Sequence, residues 1–527
     1  MRLTINRLSS LSRSSPTAGP IRHTLIVVCA VVMLLAAPLS ALADAAVDQA
    51  LYAPVLPDQR AAIIAETAGE LSRYQISTEI ELPTDDQPSR LTGEVRLQYL
   101  NDGPVPRDAV YLRLYANDAR YAEGEMELRD IEVSGEAVNP ELSVKDTVAR
   151  LPLPEELGVG ETIDISYGFV TTVPTSPRES YGIFSYQPDG GTLVLAHWFP
   201  ILAGVDAEGT WSLEPPSQLG DVIFSNTALF EVEVTAPSDL VVVTTGTRVE
   251  RERDGAQHRY QFVSGPVRDF TMVLDDDYES LSVEVDGTTV TSWYNPKHDE
   301  GGRAVLRYGA QALELFNDLF GPYPYEEMDL VDLTVRNGAA GVEFPQLMFI
   351  GGDYYDRVEP GPDGRPTFLE TIVAHEVAHQ WWYALVGNDQ YQDAFIDEGL
   401  TNYMSTEVYY ERVYDAGVAE REVLAQLEEP YRRRLASSGD DIADQPTDDF
   451  ASASAYGTII YSKAALGFGA IHEKIGDEAF FAALQAYYEE HRFGVATPED
   501  LLAAFEEASD EQLDELWQRW FEEAGGE

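Results

Sequence analysis

The chain has 527 residues, 44% of them hydrophobic and 10% aromatic, which is length for about two or three domains and too apolar for a disordered chain. Ninety-one acidic against 35 basic residues leave a net charge of −56, so nucleic acid and anionic membrane are excluded as electrostatic partners because both would repel it. The single cysteine, Cys29, lies near the N-terminus, which excludes a disulfide framework and a thiolate metal site in the rest of the chain.

Arg2, Arg7, Arg13 and Arg22 precede an apolar run, Leu25 to Ala37, and Ala41-Leu42-Ala43 ends it before Asp44. This predicts a signal peptide over 1–43 with an A-x-A cleavage site, and hence a secreted or cell-surface protein. An uncleaved anchor is the alternative, and membrane contact is expected only in that case. Pro38 and the A-x-A ending favour cleavage. Cys29 lacks the small residues that precede a lipidated cysteine.

A short leader and a helix, Gln59 to Ser72, come next. From Tyr74 the period changes to two. Tyr74–Leu82 and Leu91–Tyr99 read as strands, as do Ala109–Tyr115, Thr162–Phe169, Phe230–Thr235, Leu240–Thr245, Arg259–Val263 and Phe270–Leu274. Residues 46–279 are therefore a β-rich domain with sheets packed face to face. The character switches near 280. Strands Leu281–Val285 and Thr288–Tyr294 lead into a helix, Gly302–Phe320, stopped by Gly321-Pro322, and a strand, Met328–Val335. Metal-motif helices and a mostly helical tail follow, so 280–527 is a mixed catalytic domain with one small sheet. The fold class is α+β multidomain.

His375-Glu376-Val377-Ala378-His379 reads H-E-x-x-H. Positions i and i+4 share a helix face, so both imidazoles can reach one ion, and Glu376 stands beside it to take a proton from water. The upstream run from Phe368 is apolar at helical spacing, and the first Gly or Pro after it is Gly387, so the helix is expected to reach about Val386. Glu398 opens a second helix, Leu400 to Val413. Two histidines and a carboxylate leave a tetrahedral zinc one open position, as a catalytic site requires. A chance H-E-x-x-H is expected in roughly one chain in a hundred of this composition. Two further residues are candidates. Glu343, in the glycine-bearing loop Gly338–Pro345, can hold a cation. Tyr461, opening a helix, can donate to an oxyanion.

Together these residues resemble the aminopeptidase-N family of gluzincin zinc metallopeptidases. Ala340-Gly341-Val342-Glu343-Phe344 is similar to its G-x-M-E-N motif, although Ala340, Val342 and Phe344 depart from it. His375 to Trp381 matches H-E-x-x-H-x-W, Asp393 to Gly399 is similar to D-x-W-L-x-E-G, and Tyr461-Ser462-Lys463 matches Y-x-K. The resemblance implies a saddle-like β domain followed by a thermolysin-like, mostly helical catalytic domain. It implies a short, bacterial-type member without the family's C-terminal helical domain. It further implies one Zn2+ per chain on His375, His379 and Glu398, with Glu376 and Tyr461 catalytic. Glu343 would bind the α-ammonium of peptides with a free N-terminus, and Gly341 and Val342 would line the substrate backbone. A polar side chain near Gln187 is expected at the amine as well. A zinc endopeptidase and an inactive binding module are the rival readings, and the oligomeric state is left open.

Only four of the basic residues are lysine: Lys145, Lys297, Lys463 and Lys474. Acid excess with few lysines suits a protein kept soluble at high salt; a high-GC genome and an acidic secreted surface explain it equally. If the surface is salt-adapted, molar NaCl, whose Debye length is about 3 Å, screens its self-repulsion and raises the melting temperature above that in dilute buffer. A flat or falling trend in thermal scans supports the compositional explanation.

Overall fold

Alternating burial along Ser72–Glu81 shows why this half forms sheets. Its inward residues Tyr74, Ile76, Thr78 and Ile80 are buried and the residues alternating with them face water. The strand lies in the middle of an eight-stranded sheet whose order is Thr247–Asp254, Gln257–Val267, Ala228–Pro237, Ser72–Glu81, Ser89–Leu100, Thr162–Val173, Glu125–Val133 and Glu136–Ala137. Register places Phe262, Val232, Ile76, Val95 and Tyr167 opposite one another in one row across five strands, and all five are buried. A one-residue slip would turn this whole row to solvent, so the register is strongly specified. Two four-stranded sheets complete the half, one ending in Phe184–Gln187 and the other containing Arg107–Arg113.

The structure is a computed structural model that describes residues 49–175, 181–221, 223–360 and 366–525. The expected signal peptide, with Cys29, lies outside the described residues. Among those described, no helix is long and apolar enough to cross a membrane.

From Glu279 the chain builds a separate five-stranded sheet. Its order is Glu279–Val285, Thr288–Tyr294, Glu327–Leu333, Leu347–Gly351 and Gly341–Phe344. Asp286-Gly287, both at positive φ, make the two-residue turn between the first two strands. The 22-residue helix Asp299–Phe320 carries the chain across to the parallel strand Glu327–Leu333. Beyond residue 366 the chain is helical, apart from turns. This is the expected order, β-rich half first and helical half with a small sheet second.

Three expectations about elements need correction. The helix predicted over Gln59–Ser72 spans only Arg60–Thr67, because Gly69 takes a left-handed φ of 86° and Ser72 already pairs in the sheet. The metal helix ends at Ala378 and not near Val386. Trp381 packs against Phe316, Phe320 and Tyr323 while Trp382 packs against Phe320 and Tyr487, and Tyr383 accepts a φ of 108° to let the chain turn back. Aromatic burial here overrides helix propensity. The segment predicted as a glycine-bearing loop contains an edge strand, Gly341–Phe344. Strands Glu125–Val133, Val148–Leu157, Phe184–Gln187, Thr192–Leu195 and Thr247–Asp254 were not read from the sequence.

One buried cation ties the β half to the turn behind the metal helix. Arg268 Nε donates to the Tyr383 carbonyl at 2.8 Å, Nη1 to Ser225 at 3.2 Å and Nη2 to Leu385 at 3.3 Å and to Gly494. Burial lowers its pKa to about 10. Gly387 is glycine because a methyl there would occupy the guanidinium's space. Arg268→Met strands several buried carbonyls at about 1–3 kcal/mol each, so it should cost at least about 3 kcal/mol in urea denaturation. Arg268→Lys should recover little, because a point charge cannot reproduce the planar fork.

Candidate active site

Thr367 caps the metal helix, its hydroxyl accepting from Glu370 N at 3.3 Å, and Phe368–Ala378 follows. One turn separates His375 from His379, and their Nε2 atoms lie 3.1 Å apart. Glu398 Oε2 stands 3.1 Å from the first and 3.3 Å from the second. These three atoms form the cluster able to hold one ion. His379 Nδ1 donates to the Trp382 carbonyl at 3.0 Å, which leaves Nε2 deprotonated and directed at the shared point. The early end of the helix therefore has a function: it brings Trp382 round to fix the tautomer.

Glu398 sits inside a π-helical turn, Phe395–Gly399, which continues through Leu400–Tyr403 and Met404–Val408 to Val413. Wide turns of this kind recur at functional sites. Asp397 Oδ1 accepts from the Glu398 backbone N–H at 2.6 Å. Gly399 allows the crossing with the Tyr461 segment, since a Cβ there would meet Ala464 Cβ at 2.7 Å. Tyr461 lies in a further π turn, Ile459–Ala464, and not at the start of a helix. Its ring stacks on His375 at 5.9 Å and its hydroxyl donates to Glu398 Oε1.

Glu376 lies on the helix between the two histidines. Its Oε2 is buried without a partner, and burial raises its pKa to about 8. Gly341 is the reason it has room, because any Cβ at that position would collide with this carboxylate. Two residues on, Glu343 is only 6% exposed, contrary to the solvated glutamate that a loop would give. Burial first, and Asp221 second, hold its pKa well above the ordinary value. The edge strand is locked to the metal helix by Gln380, whose Nε2 donates to the Phe344 carbonyl at 3.1 Å and whose Oε1 accepts from Gln346 N at 2.8 Å.

A cavity of about 710 Å³ joins these groups: His375, Glu376, Glu398, Gly341, Val342, Glu343 and Tyr461 all line it. Of the sequence-predicted site residues only His379 and Gln187 are not in its lining, and the fully covered His379 meets it through the ligand cluster. Gln187 does not. Its Nε2 donates to Gly182 and Thr334 carbonyls and its Oε1 accepts from Thr334 N, so it serves the backbone. The β half instead contributes Arg120, Tyr181, Gln218, Leu219, Gly220 and Asp221, which sequence reading missed. Burial, then Glu398, raises the Asp221 pKa to about 7. Tyr456 lines the cavity too, and its hydroxyl is buried without a partner.

Two imidazoles, one carboxylate, an adjacent free glutamate and an open cavity define a zincin-type hydrolytic centre. Residues 305–520 match the peptidase family M1 domain. The chain is 25% identical over 316 residues to Aminopeptidase M1 of Arabidopsis thaliana, covering 56% of this chain and 34% of that protein. It is 30% identical over 188 residues to Aminopeptidase N of Acetobacter pasteurianus, covering 34% and 51%. The chain thus spans about a third to a half of the length of these relatives. The M1 zinc metallopeptidase of Deinococcus radiodurans superposes with a TM-score of 0.61 at 18% identity, over 85% of this chain and 92% of that one. Residues 305–520 thus carry a peptidase family M1 domain, and the likeness to these aminopeptidases supports an aminopeptidase-N-family gluzincin. Zinc is this family's ion, and the borderline-soft N2O donor set fits it.

Gly341→Ala should displace the Glu376 carboxylate while leaving the ligands in place. Misplacing a catalytic group by about 1 Å can cost about a hundredfold in turnover. The expected result is that loss with an unchanged zinc content by elemental analysis.

Proposed function

We propose that the protein is an exported zinc aminopeptidase that removes N-terminal residues from peptides. One observation carries the reading. Glu343, a buried carboxylate with no Lys or Arg ion pair among the described residues, faces the same cavity as Glu376 and the ligand cluster. A buried carboxylate of this kind requires a positive partner, and the α-ammonium of a free N-terminus supplies one. The curated relatives named above are themselves called aminopeptidases.

His375, His379 and Glu398 would hold the zinc. When bound, zinc supplies the Lewis acid that lowers the pKa of a water and polarises the scissile carbonyl. Glu376 takes the proton from the attacking water on its unpartnered oxygen and delivers it to the leaving amine. Tyr461 keeps its hydroxyl proton beside the ligands and donates it to the developing oxyanion. Gly341 and Val342 lie on an edge strand, so an extended substrate can pair with their backbone and place its first peptide bond over Glu376. Glu343 then stops the chain one residue in. Export rests on the predicted signal peptide, and the mature N-terminus is expected at Asp44.

Digestion of a decapeptide followed by mass spectrometry tests the reading. A ladder shortened from the N-terminus is expected, absent when the peptide is acetylated or o-phenanthroline is added. Internal fragments with the first residue untouched would establish an endopeptidase. Glu376→Gln should retain about one zinc per chain yet lose at least about a hundredfold in kcat, the contribution of a positioned base. An inactive binding module is refuted by any chelator-sensitive turnover.

A further inference from the structure

A second polar cavity, of about 230 Å³, is walled by residues 187–192 of the β half and by residues of the catalytic half, and none of the proposed catalytic groups lines it. Part of its lining is a buried pair. Asp332, with a side chain only 5% exposed, accepts on Oδ2 from His298 Nδ1 at 2.6 Å and from Asn295 N at 3.1 Å. The His298 ring stacks on Tyr355 with centroids 5.3 Å apart. Nδ1 is committed to the carboxylate, so Nε2 is the nitrogen left for another partner, and among the described residues it has none. Gly352, also in the lining, keeps this pair open. A Cβ there would stand 2.6 Å from Asp332 Oδ1 and 3.5 Å from His298 Cε1.

Lys297 and Arg336 line the same cavity, and among the described residues neither side chain has a hydrogen bond or an ion pair. The chain carries 35 basic residues against 91 acidic ones, so two unpaired cations sharing one hollow call for a counter-charge. Three carboxylates face this space as well: Asp189, Asp353 and Asp356, each without an ion pair among the described residues. A plain anion would meet all three, and a plain cation would meet Lys297 and Arg336. A molecule carrying both charges satisfies both sets. A free α-amino acid does so within this volume, and its ammonium can also donate to His298 Nε2. Arg336 stands where the two cavities meet. Its backbone N–H donates to the Tyr181 carbonyl at 3.0 Å, and both Tyr181 and the next residues, Asn337 to Gly341, line the catalytic cavity. Two residues earlier, Gln187 holds Thr334 by its N–H and its carbonyl.

We propose that this cavity is a second binding site for a free α-amino acid, with the carboxylate on Lys297 and Arg336 and the ammonium on the acids and His298. The inference rests on the aminopeptidase reading only for the ligand's source, the amino acid that such an enzyme releases. One stretch of chain separates the two cavities, so an occupant of the second bears on the segment that leads into the edge strand of the first. Charged side chains that are merely solvated around a hollow are the competing explanation.

Calorimetric titration with L-alanine tests this on the zinc-loaded protein, with leucine hydroxamate filling the catalytic cavity. Propanoate and ethylamine each lack one of the two charges and read the two ends separately. Alanine should bind saturably and at least about tenfold tighter than either analogue, the weight of one hydrogen bond to a charged group. The double substitution Lys297→Gln and Arg336→Gln should weaken alanine by at least about tenfold, with zinc content and melting temperature unchanged. No saturable binding at millimolar alanine, an analogue as tight as alanine, or binding that survives the double substitution overturns the proposal. Decapeptide cleavage is read separately. Alanine binding of this kind without an N-terminal ladder keeps the second site and removes the aminopeptidase reading, whereas a ladder without such binding does the reverse.

Discussion

The active centre depends on three side chains from two helical segments meeting at separations of 3.1 to 3.3 Å. Such convergence is unfavourable for groups left to themselves, so surrounding structure has to impose it. A glycine at 399 lets the Glu398 segment lie against Ala464. Gln380 fastens the edge strand to the metal helix, and Trp381 Nε1 donates to the Gly321 carbonyl at 2.9 Å. Arg268 then holds the turn that presents the Trp382 carbonyl to His379. Each of these contacts acts on orientation, the quantity to which metal affinity and proton transfer are most sensitive.

The same logic explains the lysine of the Tyr461 segment. Lys463 is fully buried and donates to the carbonyls of Asp441 at 2.6 Å and Glu523 at 2.8 Å, with Asp440 Oδ2 at 3.1 Å. Two residues after Tyr461, it fixes the π turn by gripping two distant stretches of chain. Its role is positional: Tyr461 lines the cavity and the lysine does not.

The proposed ligands, base and oxyanion donor were legible because each belongs to a local pattern: helical spacing for His375, Glu376 and His379, and short motifs around Glu398 and Tyr461. Glu343 was legible only through its motif, since a glutamate in a glycine-bearing loop reads as solvated until the edge strand buries it. The strand row through Ile76 was readable from period-two alternation, whereas Val148–Leu157 was not, because its Pro152 and Pro154 argue against a strand. The end of the metal helix was misread because Trp381, Trp382 and Tyr383 continue a helical apolar pattern, and only the core they enter shows that the chain must turn. Asp221 had no local signal at all. It lies more than 100 residues from Glu343, and only the folded cavity brings the two together.

That last case carries a more general point about division of labour. The proposed metal ligands, base and phenol all come from the helical half. Yet the cavity they face has Arg120, Tyr181 and Asp221 from the β half for a wall. Arg268 and Gln346 fasten the same two halves behind it, Gln346 by accepting from Gly246 N at 3.0 Å and donating to the Ser264 carbonyl at 2.9 Å. A rigid junction is what a cavity walled by both halves needs, because a lining group that drifted by an ångström would lose its alignment with the groups opposite it. The register between the halves therefore shapes the cavity, and the buried polar groups that maintain it matter to the candidate site as much as the cluster able to hold an ion.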